Sequence, residues 1–321
     1  MSIEDSYEVV GDYPYEDAEV TIAVMGATGS GKSTFINMVS GSNLAVGEGL
    51  KSCTSKVEMS RPFELAGRTI TLIDTPGFDD TTRSDTDVLK MIAAFLSTMY
   101  SDGCTLSGII YMQRISDFRM TGISRRNFSL FRKLCGDDTL RNVVIVTNMW
   151  GAVSANVGLA REDELAKDDM FFKPVLDKGA RMMRHDNSYE TAVGILTQLI
   201  PKQPRALLIQ RELVDQEKDI AQTAAGAELA QDIEEQAAKW REELRQVEVE
   251  REEALLAEDI VTVRELDQER ERVQTKVIKA EEKLGAFTGV LTVLATALAM
   301  GAVTYMTAGR AMPHRGMSPP P

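Results

Sequence analysis

Short apolar runs alternate with stretches of helical period along the first two thirds of the chain. Val20–Met25, Arg68–Ile73, Gly108–Met112 and Asn142–Thr147 are apolar and β-prone, as buried strands are. Lys56–Met59 adds a strand joined to Arg68–Ile73 through Pro62 and Gly67, a hairpin-like pair, and Ala180–Arg184 reads as a last short strand. Between them lie helical segments: Thr34–Val39, Asp85–Tyr100 with Val88, Leu89, Ile92, Phe95, Leu96 and Met99 inward, Arg125–Cys135 with Phe128, Phe131 and Leu134 inward, and Tyr189–Ile200 capped by Asn187 or Ser188. The charged stretch Arg161–Lys178 also reads as helix. Strands alternating with helices predict an α/β three-layer sandwich with a mostly parallel central sheet, whose ligand loops sit at the carboxyl ends of the strands.

The pattern changes after Pro201 and Pro204. Arg205–Lys283 has no proline and one glycine, Gly226, and predicts one or two long helices. Leu229, Ile233, Trp240, Leu244 and Val247 keep an apolar seam, as do Val273, Val277, Ala280 and Leu284, while Arg251–Val261 blurs it. With 22 acidic and 13 basic residues in Arg205–Leu284, its charge runs read as a solvated face. Gly285–Gly309 then runs for 25 residues without a charge, long enough to cross a bilayer, though its five threonines and four glycines also suit a buried helical hairpin or an amphipathic segment. The expected organisation is an acidic arm (1–18), a globular domain (19–204), a helical extension (205–284), a candidate membrane span (285–309) and a short tail (310–321). As a span, it predicts a tail-anchored protein on the cytoplasmic face of an intracellular membrane; otherwise the chain is cytosolic.

Composition narrows the chemistry. A formal charge of -13 with no compensating basic run argues against a nucleic-acid partner. Cys53, Cys104 and Cys135 lie far apart without CxxC spacing, which fits a reducing compartment. With His185 and His314 as the only histidines, there is almost nothing from which to build a histidine triad or a His-rich metal site.

The chemistry that remains is phosphate binding. Gly26-Ala27-Thr28-Gly29-Ser30-Gly31-Lys32-Ser33 matches GxxxxGK followed by Ser or Thr, between a strand and a helix. Its glycines let successive N–H groups curl toward phosphate oxygens, and the helix that follows from Thr34 adds its N-terminal partial charge. Lys32 can reach the β- and γ-phosphates, and the Ser33 hydroxyl can coordinate Mg²⁺. At the end of a later strand stands Asp74-Thr75-Pro76-Gly77: a carboxylate that orients Mg²⁺ and a glycine N–H that can meet the γ-phosphate. The Gly- and Ser-rich stretch Gly41–Ser55 is where a nucleotide-sensing switch would lie, and Asn148-Met149-Trp150-Gly151 is where a base-recognition loop belongs.

In this order, with Cys53-Thr54, Phe78-Asp79, Arg114-Ile115-Ser116-Asp117, Arg119-Met120-Thr121-Gly122 and Thr147-Asn148, these motifs resemble the septin-like GTPases over about Glu19–Ile200. The resemblance is to their immunity-associated and chloroplast-import (paraseptin) branch and, within it, to fungal G-domain proteins. It implies a GTP/GDP-binding domain using Mg²⁺, with Gly26 through Thr34, Asp74, Gly77, Asn148 and Asn187 around the nucleotide. It further implies Ser33, Thr54 and Asp74 at the metal, Lys32, Thr54 and Gly77 in hydrolysis, and a homodimer formed through the domain and the extension.

Two residues depart from the pattern. Trp150 stands where the guanine-reading motif ends in a carboxylate, a contact worth about 1–3 kcal/mol; it either stacks on the base or packs. Phe78 stands where many GTPases carry a water-orienting glutamine, which implies slow intrinsic hydrolysis. Arg114 and Arg119 are candidates for a contact in trans or for structural salt bridges. A Mg²⁺-dependent GTPase switch is the leading reading, with a nucleotide-controlled scaffold of negligible turnover and a P-loop ATPase of another lineage beside it.

Overall fold

The structure is a computed structural model and describes residues 19–46, 56–79, 83–117 and 122–289. They fall into two compact units: the described residues of 1–77, 105–118 and 140–205, and those of 78–104, 119–139 and 206–321.

The first unit is built on a sheet. Its strands are β1 (Val20–Gly26), β2 (Glu58–Met59), β3 (Phe63–Leu65), β4 (Arg68–Asp74), β5 (Gly108–Arg114), β6 (Val143–Asn148) and β7 (Arg181–Arg184). The order is β2-β4-β1-β5-β6-β7, with β3 also on β4. β4, β1, β5, β6 and β7 run parallel, while β2 and β3 pair antiparallel with β4. The expected two-strand hairpin is therefore three strands. β3 turns into β4 through Ala66 and Gly67, both at positive φ (55° and 73°), and β2 joins β4 farther along, Glu58 opposite Asp74.

Alternate residues explain the continuous apolar runs. Val20, Ile22 and Val24 of β1, Ile70 and Leu72 of β4, Ile110 and Met112 of β5, and Val144 and Val146 of β6 share one core. They pack with Phe35, Ile36 and Val39 of α1 (Lys32–Ser40) and with Ala192, Ile195 and Leu196 of α6 (Tyr189–Thr197). Each of the larger of these side chains contributes about 1.5–3 kcal/mol on full burial. The residues between, such as Ala23, Ile73, Ile109 and Ile145, are buried as well, so the runs carry no alternation. Ser188 caps α6, its Oγ accepting from Thr191 N at 3.2 Å. The stretch expected as one charged helix is two, α4 (Ala155–Lys167) and α5 (Lys173–Leu176).

The second unit is helical: α2 (Asp85–Ser101), α3 (Gly122–Cys135), α7 (Leu208–Gln210) with a π-helical turn over Arg211–Asp215, α8 (Ala224–Leu256) and α9 (Ile260–Gly289). Arg126 of α3 pairs with Asp85 at the start of α2 and, at 3.1 Å, with Asp232 of α8. Asp85 also accepts the backbone N–H of Asp79 at 3.0 Å. Gln210 ties α7 to α2 by donating to Leu96 O at 2.9 Å.

α8 and α9 form an antiparallel hairpin, with Leu229, Ile233, Ala237, Val247 and Ala254 buried on one helix and Val263, Val273, Val277 and Ala280 on the other. Arg251 meets Asp267, and Arg241 meets Glu281. Most of the apolar seam of the extension is thus covered within the chain, while Trp240, Leu244 and Leu284 are half-buried.

The tail-anchored placement is corrected. No helix among the described residues is long and apolar enough to cross a membrane. At the proposed boundary Gly285–Gly289 completes α9, a helix that is charged from Arg264 to Lys283. The rest of that candidate, 290–309, lies outside the described residues, as do Thr54, Cys53, Arg119 and the acidic arm.

Candidate functional site

The first unit brings the phosphate motifs together at the carboxyl ends of its parallel strands. β1 ends at Gly26, opposite Met112 of β5, with φ 140° and so little room that a Cβ there would lie 2.4 Å from Met112 O. The chain then turns through Gly29 (φ 74°) and Gly31 (φ 93°) into α1. These left-handed positions are what glycine supplies.

Lys32 is buried, and its Nζ donates to Gly26 O at 3.2 Å and Ala27 O at 3.0 Å, which holds the ammonium inside the loop. Ser33 Oγ donates to Asp74 Oδ2 at 2.5 Å, so a hydroxyl from α1 and a carboxylate from β4 meet across 41 positions of sequence. Two further hydroxyl oxygens of the loop, Thr28 Oγ1 and Ser30 Oγ, are buried without a hydrogen-bond partner among the described residues.

Thr75 anchors the second motif by donating from Oγ1 to Val24 O at 2.8 Å, a fixing role that reading the motif for its Asp and Gly does not disclose. It sets Gly77 against the loop. A Cβ on Gly77 would lie 2.4 Å from Thr28 N and 2.6 Å from Thr28 Oγ1, so only glycine fits there.

This donor set suits a phosphate with a hard divalent cation, which takes oxygen ligands. Among the described residues no group of three or more His, Cys, Asp or Glu is placed to hold a metal, so such a cation would rest on Ser33, Asp74 and oxygens from its ligand.

Asn148, at the end of β6, is buried and locked to the loop. Its Nδ2 donates to Ser30 O at 3.2 Å, and its Oδ1 accepts the Met149 N–H at 2.7 Å. Trp150 packs. Its Nε1 donates to Thr147 O at 3.1 Å, Arg184 lies over its ring 4.5 Å from the centroid, and Gly158 sits so close that a Cβ would meet Cζ3 at 2.7 Å. Asn187 is exposed at φ 69°, beside Asp186, whose carboxyl is held down to about 2 by hydrogen bonds from Ser188 and Thr191. Next to them His185 is buried under the α1 side chain Phe35, their rings edge-on at 5.2 Å. Its burial was not signalled by the sequence, since a lone histidine after a short strand carries no periodicity.

Arg114 closes β5. Its Nε pairs with Asp117 at 2.9 Å, the salt bridge weighed for it from the sequence, while its Nη1 points to Thr28 O at 3.4 Å.

Residues 21–127 match the family described as 50S ribosome-binding GTPase, a third of the chain that includes both phosphate motifs. No curated protein sequence matches. Among solved structures the chain is similar to a dimerization-deficient mutant of Toc33 from Arabidopsis thaliana (17% identity, 56% of this chain, 82% of that chain, TM-score 0.45). It is similar also to the FeoB iron transporter G domain from T. maritima (16%, 57% and 98%, 0.36) and to Aquifex aeolicus Era bound to GDP·AlF4⁻ (20%, 58% and 58%, 0.42). The α/β sheet with its phosphate loop after β1, followed by the long helices α8 and α9, is a P-loop GTPase fold.

Proposed function

We propose that this chain is a guanine-nucleotide switch of the septin-like, paraseptin branch, which binds GTP or GDP with Mg²⁺ through a domain spanning 19–204. The observation that carries the reading is the 2.5 Å contact between Ser33 Oγ and Asp74 Oδ2, because it joins two separate motifs at one point. In this reading the N–H groups of Gly26 through Thr34 hold the phosphates, and Lys32 swings from the Gly26 and Ala27 carbonyls to the terminal phosphates. Ser33, Asp74 and Thr54 take the cation, Gly77 meets the γ-phosphate, and Asn148 and Asn187 border the base. The cation, once bound, neutralises charge between the β- and γ-phosphates. Phe78, buried and without a donor, cannot orient a water, so intrinsic hydrolysis is slow. The homodimer of this reading forms mainly through the nucleotide domain, since most of the seam of α8 and α9 is occupied within the chain.

The test is a titration of the full chain with fluorescent GTP, with Lys32→Ala alongside and ATP as competitor. Binding that Lys32→Ala removes and that GTP outcompetes supports the proposal; absence of such binding ends it. The adenine-nucleotide reading stands beside it because Asn148 and Trp150 direct their bonded polar atoms at the protein itself and so mark no guanine-selecting contact. Clear ATP preference would establish it. Multi-turnover phosphate release separates a slow GTPase from a scaffold without turnover.

A further inference from the structure

We propose that Arg114 is a phosphate-contacting residue supplied in cis, the cation that distinguishes a nucleoside triphosphate from a diphosphate; this rests on reading Gly26–Thr34 as the nucleotide site. β5 runs parallel to β1 with Met112 opposite Gly26, so its last residue is delivered beside the loop that follows β1. The guanidinium lies against the Thr28–Gly29 peptide: Nη1 is 3.4 Å from Thr28 O, and a Cβ on Gly29 would fall 3.3 Å from the same nitrogen. A Cβ there would push the tip of the arginine by a few tenths of an ångström, so the glycine leaves the guanidinium room against the peptide. Thr28 is also the residue against which Gly77 is pressed. Arg114 and Gly77 thus flank a single loop position, and Gly77 is the residue whose N–H meets the γ-phosphate in the proposed function.

The arginine is held for this task. Its Nε pairs with Asp117 at 2.9 Å, and Gln113 Nε2 donates to the other oxygen of that carboxylate at 3.3 Å. The segment is fixed by Ile115 N donating to Asn148 O and Arg161 Nη1 donating to Ile115 O, both at 2.8 Å. A 3.4 Å contact to a neutral carbonyl is long for a hydrogen bond and gives little reason to place a charge there. A phosphate oxygen gives more, because the planar fork retains N–H donors beyond those engaged and phosphate matches its geometry. The Arg114 side chain remains 34% exposed, open to a ligand from solvent. Arg114 is a binding residue and Asp117 its positioning residue.

The experiment measures the affinities of a fluorescent non-hydrolysable GTP analogue and of fluorescent GDP, with Mg²⁺, for the full chain and for Arg114→Ala, Arg114→Lys and Asp117→Asn. Arg114→Ala is expected to weaken the triphosphate about tenfold or more and the diphosphate by less than about threefold, at every protein concentration. Arg114→Lys should recover part of the loss, and Asp117→Asn should fall between. An equal loss for both nucleotides together with a lowered melting temperature overturns the proposal in favour of a structural salt bridge. An effect present only at concentrations where the chain dimerises overturns it in favour of a contact in trans. If Lys32→Ala leaves the wild-type binding of both nucleotides intact, the site reading itself falls, and Arg114 falls with it.

Discussion

Ser33 Oγ and Asp74 Oδ2 stand 2.5 Å apart, at the first turn of α1 and the last residue of β4, strands β4 and β1 being in parallel register with Val24 opposite Asp74. Asp74 is fully buried, so the hydroxyl serves one oxygen of a carboxylate that water does not reach. In the proposed function Ser33→Ala removes one of the protein oxygens that take the cation. Nucleotide affinity measured with Mg²⁺ should fall about 10–100-fold, while affinity measured in chelator should change little. Retention of Mg²⁺ stimulation in the variant would detach Ser33 from the cation.

Trp150 offers a decision between stacking on a base and packing. Its indole N–H, one ring face and one edge are engaged by Thr147, Arg184 and Gly158. Trp150→Ala should therefore lower unfolding free energy by about 2–3 kcal/mol, less than a fully buried tryptophan loses because the ring is only half-buried. Nucleotide affinity of the folded fraction should stay within about threefold of wild type, a change of less than 1 kcal/mol. Chemical denaturation alongside nucleotide titration checks both, and a large affinity loss with unchanged stability would make Trp150 a base-stacking residue.

The parallel strands were legible because buried strands of this kind are apolar on both faces, but for the same reason the face toward α1 and α6 was not. β3 escaped because three residues after Pro62 carry too little pattern, although Ala66-Gly67 takes the positive-φ turn that a hairpin needs. The blurred seam at Arg251–Val261 has a simple cause: the chain reverses there between α8 and α9, leaving Leu256 and Val261 exposed at the tip. The phosphate motifs could be read locally, since their spacing is their chemistry. Asn148 to Ser30, Arg114 to Thr28 and Trp150 to Arg184 are contacts between distant positions, and no local pattern encodes them.

Gly226 sits in the first turn of α8, where alanine would ordinarily favour a helix by about 1 kcal/mol. Here the sign reverses. A Cβ would lie 1.8 Å from Ile220 O, a backbone atom of the turn whose Thr223 caps the helix by accepting from Gly226 N at 3.0 Å. Gly226→Ala should destabilise the helical unit by about 2–4 kcal/mol through the forced backbone shift and a disturbed cap. Urea denaturation followed by circular dichroism at helical wavelengths reads this; a stabilised variant would contradict the close approach.

His185 should make the sheet unit sensitive to mild acid. It is 1% exposed, with Nδ1 2.9 Å from Thr191 Oγ1 and the edge of Phe35 against its ring. Burial lowers its pKa below the ordinary histidine value, against a smaller upward pull from Asp186. Above about pH 6.5 the imidazole is neutral in both folded and unfolded chains, and the stability it permits is fully present. As pH falls below that value the unfolded chain takes up a proton that the folded one resists, so stability declines toward the lowered native pKa. Urea midpoints at pH 7.5 and 5.5 should therefore fall together with pH in the wild type, and His185→Gln, which keeps a donor for Thr191 but cannot titrate, should flatten the difference. The only other histidine, His314, lies beyond the described residues, so a slope that survives the substitution would assign the acid sensitivity to other groups than His185.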